Sequence, residues 1–237
     1  MVYAFNVTEP VLSIVVPVLD EERGIVAALD ALREARDAGA ELIVVDGGSR
    51  DATVPLAAPH ADSVLQSPRG RARQMNAGAL AARAPLLLFL HADTRLPPRA
   101  VDTVREALAR RAWGRFDVRI QGTHRMLPMV AWCMNLRSRL TGIATGDQAI
   151  FVRREAFEAA GGFPDIPLME DVALSRALKR VSPPACLHSP VTTSGRRWER
   201  TGPWRTVLLM WRLRLAYALG ADPRGLARRY EVERTSS

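Results

Sequence analysis

Pro85-Leu-Leu-Leu-Phe-Leu-His-Ala-Asp-Thr-Arg-Leu-Pro97 is the stretch on which the fold turns. Its apolar run, residues 86–90, stops at His91-Ala92-Asp93-Thr94. Such a run reads as a strand of a parallel sheet, buried on both faces. Its C-terminal end delivers an imidazole and a carboxylate to the edge where open α/β sheets bind ligands. Asp93 reads equally as turn chemistry ahead of Pro97, and His91 as a satisfied buried histidine. What else the chain sends to that edge decides between the two.

Working outward, residues 11–18 form a β-branched run, where Pro17 ends the pairing because proline donates no ladder hydrogen bond. Asp20-Glu-Glu-Arg23 opens a helix with Ile25, Ala28, Leu29 and Leu32 on one face, and Gly39 stops it. Glu41-Leu-Ile-Val-Val-Asp46 is a second strand ending in an acid, Gly47-Gly-Ser49 a tight turn, and Asp51 starts a short helix. A weaker strand at 63–66 precedes an alanine-rich helix at 70–83, and another helix spans 99–111. This alternation predicts a mostly parallel sheet, helices on both faces and right-handed crossovers. Glu21, Asp46 and Asp93 then gather along one edge.

The second half is less regular. A strand is expected at 116–120, a Met- and Trp-containing helix at 124–140, and a loop running into a strand at 145–153. A turn at 161–164 leads to a helix from Glu170 to about Val181, and 185–189 reads as a strand. A final helix spans 203–220, with Trp204, Val207, Leu208, Trp211, Leu215 and Ala218 in one stripe. Residues 235–237 read as a frayed tail.

With 237 residues and 48% hydrophobic content, a full core is available and wholesale disorder is excluded. The net charge of +8, almost all from Arg, attracts phosphates or anionic lipid. No zinc-finger, basic-zipper or RNA-recognition motif is present, so nucleic acid is not an expected partner. Cys133 and Cys186 show no metal spacing, and a reduced cytoplasmic chain is the default. The first ten residues lack the pattern of a signal peptide, and no window reaches 18 residues without charge.

Six groups of residues could carry chemistry. Pro17, Glu21 and Asp46 could hold a nucleoside, with plain turn formation as the alternative at Asp46. Neither GxGxxG nor GxxxxGK[ST] follows the first strand, which removes the main support for NAD or ATP cleavage. Asp93, with or without His91, suits Mg²⁺ or Mn²⁺ once a diphosphate adds ligands. Arg71 and Arg73 sit in a helical first turn suited to phosphate, or form a solvated helix end. Glu170-Asp171 are either dipole partners at a helix start or a general base. Gly146-Asp147-Gln148 reads as an ordinary loop or part of the acceptor site. Arg196-Arg197-Trp198 reads as a solvated face or a clamp on phosphates. No G-x-S-x-G elbow points to a serine hydrolase.

Taken together, the motifs have a known order. Ser13-Ile-Val-Val-Pro-Val-Leu-Asp-Glu-Glu22 and Ile43-Val-Val-Asp-Gly-Gly-Ser-Arg-Asp-Ala-Thr53 precede Gly70-Arg-Ala-Arg-Gln-Met-Asn-Ala-Gly78 and Leu88-Phe-Leu-His-Ala-Asp-Thr94. Gly161-Gly-Phe163 and Glu170-Asp171 complete the set. From about Leu12 to Val181 the chain resembles glycosyltransferase family 2, the inverting enzymes of GT-A fold. Its His-Ala-Asp-Thr-Arg-Leu-Pro and Gly-Asp-Gln versions are similar to a bacterial subgroup labelled arsenosugar-biosynthesis-type. The resemblance implies that Pro17, Glu21 and Asp46 hold the nucleoside and that Arg71 lies near the diphosphate. It implies Asp93 as ligand to Mn²⁺ or Mg²⁺, and Asp171 as base with Glu170 beside it. His91 stands where the family usually has Asp, and its place among the nucleotide-binding residues is the least defined.

The expected architecture is a Rossmann-like GT-A domain over 1–195, with a nucleotide-binding half at 11–97 and an acceptor half at 98–195. A basic amphipathic helical extension covers 196–237. The expected function is metal-dependent, inverting transfer of a sugar from a nucleoside-diphosphate sugar, a UDP-sugar in this reading. The acceptor is a small molecule, a lipid-linked compound or a glycan, with Gly146, Asp147, Gln148, Arg196 and Trp198 as candidate sugar or acceptor contacts. The alternatives are a nucleotidyltransferase and a catalytically weak nucleotide-sugar-binding protein. The last helix packs on the domain by default; meeting the anionic inner face of the cell membrane is the other reading.

Overall fold

β1 (Leu12–Val18) collects the β-branched run at the start of the chain, in a computed structural model that describes residues 9–235. The expectations for 1–8, including most of the stretch read as lacking a signal peptide, and for the last two tail residues lie outside the described residues. After β1 come α1 (Ile25–Asp30), α2 (Arg33–Asp37), β2 (Ala40–Asp46), α3 (Thr53–Ala57), β3 (Ser63–Gln66), α4 (Arg71–Ala81), β4 (Leu86–Phe89) and the short β5 (Thr94–Arg95). Then follow α5 (Ala100–Arg110), β6 (Trp113–Gln121), α6 (Leu127–Thr141), β7 (Ile150–Arg153), α7 (Arg154–Ala159), α8 (Glu170–Leu178) and β8 (Ala185–Ser194). Three helices close the described chain: α9 (Arg196–Thr201), α10 (Pro203–Ala218) and α11 (Pro223–Thr235).

One sheet runs in the order β3-β2-β1-β4-β7-β6-β8-β5. The strands β3, β2, β1 and β4 are mutually parallel, as the alternation predicts. β7 then enters antiparallel between β4 and β6, and β5 pairs antiparallel with β8. The central strand β4 therefore has one parallel and one antiparallel neighbour. An apolar run reports coverage of both faces, not the direction of the partners.

Alternating side chains feed two cores. Ile14, Val16, Leu42 and Val44 meet α1, α2, α5 and α6 on one face. Val15, Ile43, Val45 and Phe89 meet α4, α7 and α8 on the other. Gly78 lets α4 settle on β1, since a Cβ there would overlap Val15 Cγ1.

Several expectations need correction. Pro17 does not end β1, which pairs with β2 as far as Val18 opposite Asp46. Leu90 N–H donates to Val15 O, whereas Gly47 N–H donates to Val18 O. Pro17 shares parity with Val15, so its missing N–H points to the β4 side, beyond the last pair with β4. The helix expected from Asp20 starts only at Ile25 and is split in two. The acids before it instead tie the loops after β1 and β2 together. Asp20 accepts from Arg50 N–H (2.8 Å), Glu22 accepts from Ala52 N–H (3.2 Å), and Ser49 Oγ accepts from Asp20 N–H (2.9 Å). The strand expected at 185–189 continues to Ser194. Arg196-Arg197-Trp198 is the start of α9, within the stretch expected as a helical extension.

The helix at 203–220 is not the last one. Gly220, with φ +91°, breaks it, and α11 restarts at Pro223. Its expected core-facing stripe is also wrong: Trp204, Leu208, Trp211 and Leu215 are exposed. α10 packs through another face, where buried Leu213 with Leu209, Met210 and Tyr217 joins Met169, Val172 and Leu226.

Candidate active site

β1, β2 and β4 run in parallel and so end on one edge of the sheet. That edge receives Glu21, Asp46 and Asp93, as the sequence predicts. Asp46 is fully buried, and its carboxylate accepts from Gly48 N–H (2.9 Å), Ser49 N–H (3.1 Å) and Ser49 Oγ (2.5 Å). The turn chemistry weighed for Asp46 is therefore present, and the same turn lines a cleft of about 510 Å³ with Asp51, Val54 and Gln66. Gln74, passed over in the sequence, fixes the two strand ends beneath it. Its Nε2 donates to Val18 O and Val45 O, both at 2.8 Å. A polar side chain inside an alanine-rich helix was the available signal.

A second cleft, about 250 Å³, is lined by Glu21, Asp93, Arg95, Gln121, Ser194 and Arg196 among others. The fold thus brings together Asp93 and Arg196, which lie far apart in sequence, through the pairing of β5 with β8. Thr94 Oγ1 and Thr193 Oγ1 are 3.0 Å apart across that pairing. Burial pushes the Glu21 carboxyl above its usual range, the Asp93 charge pushes it further, and Arg196 opposes both. Trp198 is not in this cleft; it is half-buried against the main core.

Among the described residues, no group of three or more His, Cys, Asp or Glu side chains is placed to hold a metal ion. The crowding of Glu21 by Asp93 nevertheless fits a cation held on few protein oxygens. Diphosphate oxygens would complete its shell.

The third grouping lies behind β4, where His91, Gly146, Glu170 and Asp171 line one small pocket with Met75, Phe89 and Phe163. Met169, at φ +71°, turns the chain into α8 and sets Glu170 and Asp171 in its first turn. Asp171 Oδ2 accepts from Gly146 N–H at 2.9 Å. A Cβ on Gly146 would lie 2.5 Å from the His91 ring, so glycine is what lets the imidazole pack there. His91 Nδ1 is 3.4 Å from Asp147 Oδ1, which gives this histidine a partner the sequence did not supply. Gln148 is buried and closes a capping box with Thr145, holding the turn that presents Gly146.

Burial pushes the Glu170 carboxyl up to about 7, and the adjacent Asp171 charge adds to the rise while Arg71 opposes it. Arg71, at the start of α4, is exposed to solvent. Desolvation works against its charge, but Glu170, Asp147, Tyr230 and Asp171 prevail and raise it above the usual arginine value. Its neighbour Arg73 is committed elsewhere, to a two-point ion pair with Asp165 at 2.8 Å. The sequence reading also missed Arg137 and Arg214, whose charges feel Asp171, and the Arg115–Asp117–Arg139 network, in which Arg115 is fully buried.

Acids at successive strand ends, an arginine at a helix start and a Glu–Asp pair at the start of α8 lie at the edge where open α/β sheets take their ligands. A family model described as glycosyl transferase family 2 matches residues 13–159, and the chain belongs to that family. Uncharacterized glycosyltransferases of Mycobacterium tuberculosis and Mycobacterium bovis are 37% identical over 83 residues, 35% of this chain and 36% of theirs. The chain spans about a third of the length of these curated relatives.

Solved structures agree on the fold. Staphylococcus aureus TarS 1-349 in complex with UDP-GlcNAc superposes with a TM-score of 0.63 at 16% identity, over 78% of this chain and 58% of that one. A Pyrobaculum calidifontis mannosyltransferase in complex with GDP-Man and Mn²⁺ gives 0.62 at 21%, over 89% and 62%. Glucosyl-3-phosphoglycerate synthase of M. tuberculosis, in complex with Mn²⁺, UDP and phosphoglyceric acid, gives 0.59 at 18%, over 90% and 80%. The resemblance drawn from the motifs therefore holds for the family and for the GT-A fold.

Proposed function

We propose that the chain moves a sugar from a nucleoside-diphosphate donor, a UDP-sugar in our reading, to an acceptor hydroxyl by one inverting displacement. The observation that carries this is the convergence of the Asp93–Arg196 cleft and the Asp171–Gly146–His91 group on the two sides of the β4 end. The neighbours bound to UDP-GlcNAc and GDP-Man support a nucleotide-sugar donor, and those bound to Mn²⁺ support a divalent cation.

In this mechanism Pro17, Glu21 and Asp46 position the nucleoside at the ends of β1 and β2. Arg71 and Arg196 face its phosphates. Asp93 would hold Mn²⁺ or Mg²⁺, which when bound offsets charge on the departing diphosphate. Asp171 takes the proton from the acceptor hydroxyl, whose oxygen attacks the anomeric carbon in line as the nucleoside diphosphate leaves. Glu170, whose carboxyl burial raises to about 7, stands beside Asp171 in the first turn of α8.

The test is release of nucleoside diphosphate from a panel of UDP- and GDP-sugars with Mn²⁺. A nucleotidyltransferase would release pyrophosphate instead, and a binding protein would release nothing. Asp171→Asn is expected to retain donor binding and abolish transfer. Asp93→Ala is expected to remove both activity and metal dependence; full activity in chelator would refute the metal role.

We further propose that the protein meets an anionic lipid surface. α10 packs on α6, which carries a second exposed stripe made of Met129, Trp132, Leu136 and Leu140. Trp211 is 71% exposed and Trp132 63%, with exposed Arg205 and Arg212 on α10 to meet lipid phosphates. Apolar area of this kind flanked by Arg suits an interfacial helix. No helix among the described residues is long and apolar enough to cross a membrane. Phosphatidylglycerol vesicles should sediment the protein at low salt, and Trp204→Ser/Trp211→Ser should abolish this. Equal recovery with neutral vesicles would refute the charge argument.

A further inference from the structure

Most partly or fully buried arginines in this chain are compensated. Arg115 and Arg139 share Asp117, Arg153 donates to Leu108 O, and Arg154 donates to Ala79 O, Ala82 O and Ala84 O. Two are different. Arg137 on α6 and Arg214 on α10 make no side-chain hydrogen bond or ion pair with a described residue. Arg137 Nη2 and Arg214 Nε are buried without a hydrogen-bond partner; Arg115 Nε is too, but Arg115 keeps its ion pair with Asp117. The two helices pack on each other. Burial, and then the Arg214 charge, push the Arg137 guanidinium down to about 9, while Asp171 pulls it back. Burial likewise lowers Arg214, against the pull of Asp171 and Asp147. Two guanidiniums on helices that pack together thus hold N–H groups unmet, and α10 packs on Met169 and Val172, which flank Glu170-Asp171. Guanidinium N–H groups left unmet in this way suit an oxyanion.

We propose that Arg137 and Arg214 form an oxyanion-binding site beside Asp171 that takes a phosphate or carboxylate group of the acceptor. The assignment to the acceptor rests on the proposed function, in which Asp171 is the base and the donor diphosphate lies at Asp93 and Arg196. An anion fixed by α6 and α10 would orient the acceptor's hydroxyl at Asp171. It would also make an uncharged acceptor a poor one.

The experiment uses the full chain with inorganic phosphate as probe, read by melting temperature, first alone and then with UDP and Mn²⁺ present. Phosphate is expected to stabilise the wild type under both conditions. The phosphate shift should fall by more than half in Arg137→Met or Arg214→Met and vanish in the double variant, while UDP with Mn²⁺ still stabilises each. No phosphate shift in the wild type, or an undiminished one in the variants, overturns the proposal. Loss of the UDP shift with phosphate binding intact assigns the pair to the donor diphosphate and also overturns it. If UDP fails to stabilise even the wild type, the donor reading fails, and the phosphate arm without nucleotide still decides the site. Arg214→Lys, which keeps the charge and loses the fork, covers the case of a double variant that does not fold. It should weaken phosphate at least threefold, and unchanged affinity would count against a bidentate site.

Discussion

Replacing Glu170 by Gln tests the electrostatics of the candidate base pair directly. The side chain is buried, with 6% of its surface exposed, and its carboxyl rises from an ordinary 4.5 to about 7. Between those values the folded state holds a proton that the unfolded chain has released. Wild-type stability therefore falls as pH rises through this window, and is flat above it. At about 1.4 kcal/mol per pH unit, the loss sums to about 3 kcal/mol. That is about 6–12 °C in melting temperature for a chain of this size. Gln has nearly the same shape and never ionises, so the variant escapes the loss. Urea unfolding of both proteins from pH 4.5 to 9 is the assay. The stability of Glu170→Gln relative to wild type should climb by about 3 kcal/mol across the window and then level off. A gap independent of pH would refute the buried, protonated Glu170.

Asp117→Ala should destabilise by about 3–5 kcal/mol, because it leaves the fully buried Arg115 without its carboxylate; denaturation midpoints measure this, and a loss below about 1 kcal/mol would mean the network is dispensable. Gly78→Ala sets two effects against each other: helix propensity favours Ala by about 1 kcal/mol, but the new Cβ would overlap Val15 and press on Val45, costing about 1–3 kcal/mol. A net loss of stability is expected, and a raised midpoint would show that α4 can lift off β1. Gly146→Ala drives a Cβ into the His91 ring and shifts the N–H that holds Asp171. Nucleoside diphosphate release should fall at least about tenfold, roughly the 1.4 kcal/mol that a displaced base costs at minimum, and unchanged turnover would separate this packing from the chemistry.

The parts of the fold set by burial were readable in the sequence. β1 to β4 and α5 sit within a few residues of where their apolar runs place them, and the acids at the strand ends share an edge as expected. Features set by contacts between distant segments were not. Nothing in residues 86–90 announces that β7 will pair antiparallel with β4. The polar α11 carries too weak an apolar period to stand out, and the Trp stripe of α10 looks like a core face until the other face is seen packed. At the site, Asp93 and Asp171 were legible as acids at an element end and an element start. The partner of His91, and the Arg137–Arg214 pair on helices about 77 residues apart, exist only through tertiary packing.

The continuous sheet has a kinetic consequence. β4, which leads to Asp93, is hydrogen-bonded through β7 and β6 to β8, which leads to Arg196. A hinge axis between these walls would have to break ladder bonds, which argues against rigid-body closure of one half on the other. In the proposed reaction, entry of donor and exit of spent nucleotide would be timed by pieces off the sheet: the short turn at Gly146–Gln148 and the helices that follow β8. Turnover would then answer to the anchoring of those helices, including whatever surface α10 rests on, more than to the stability of the sheet itself.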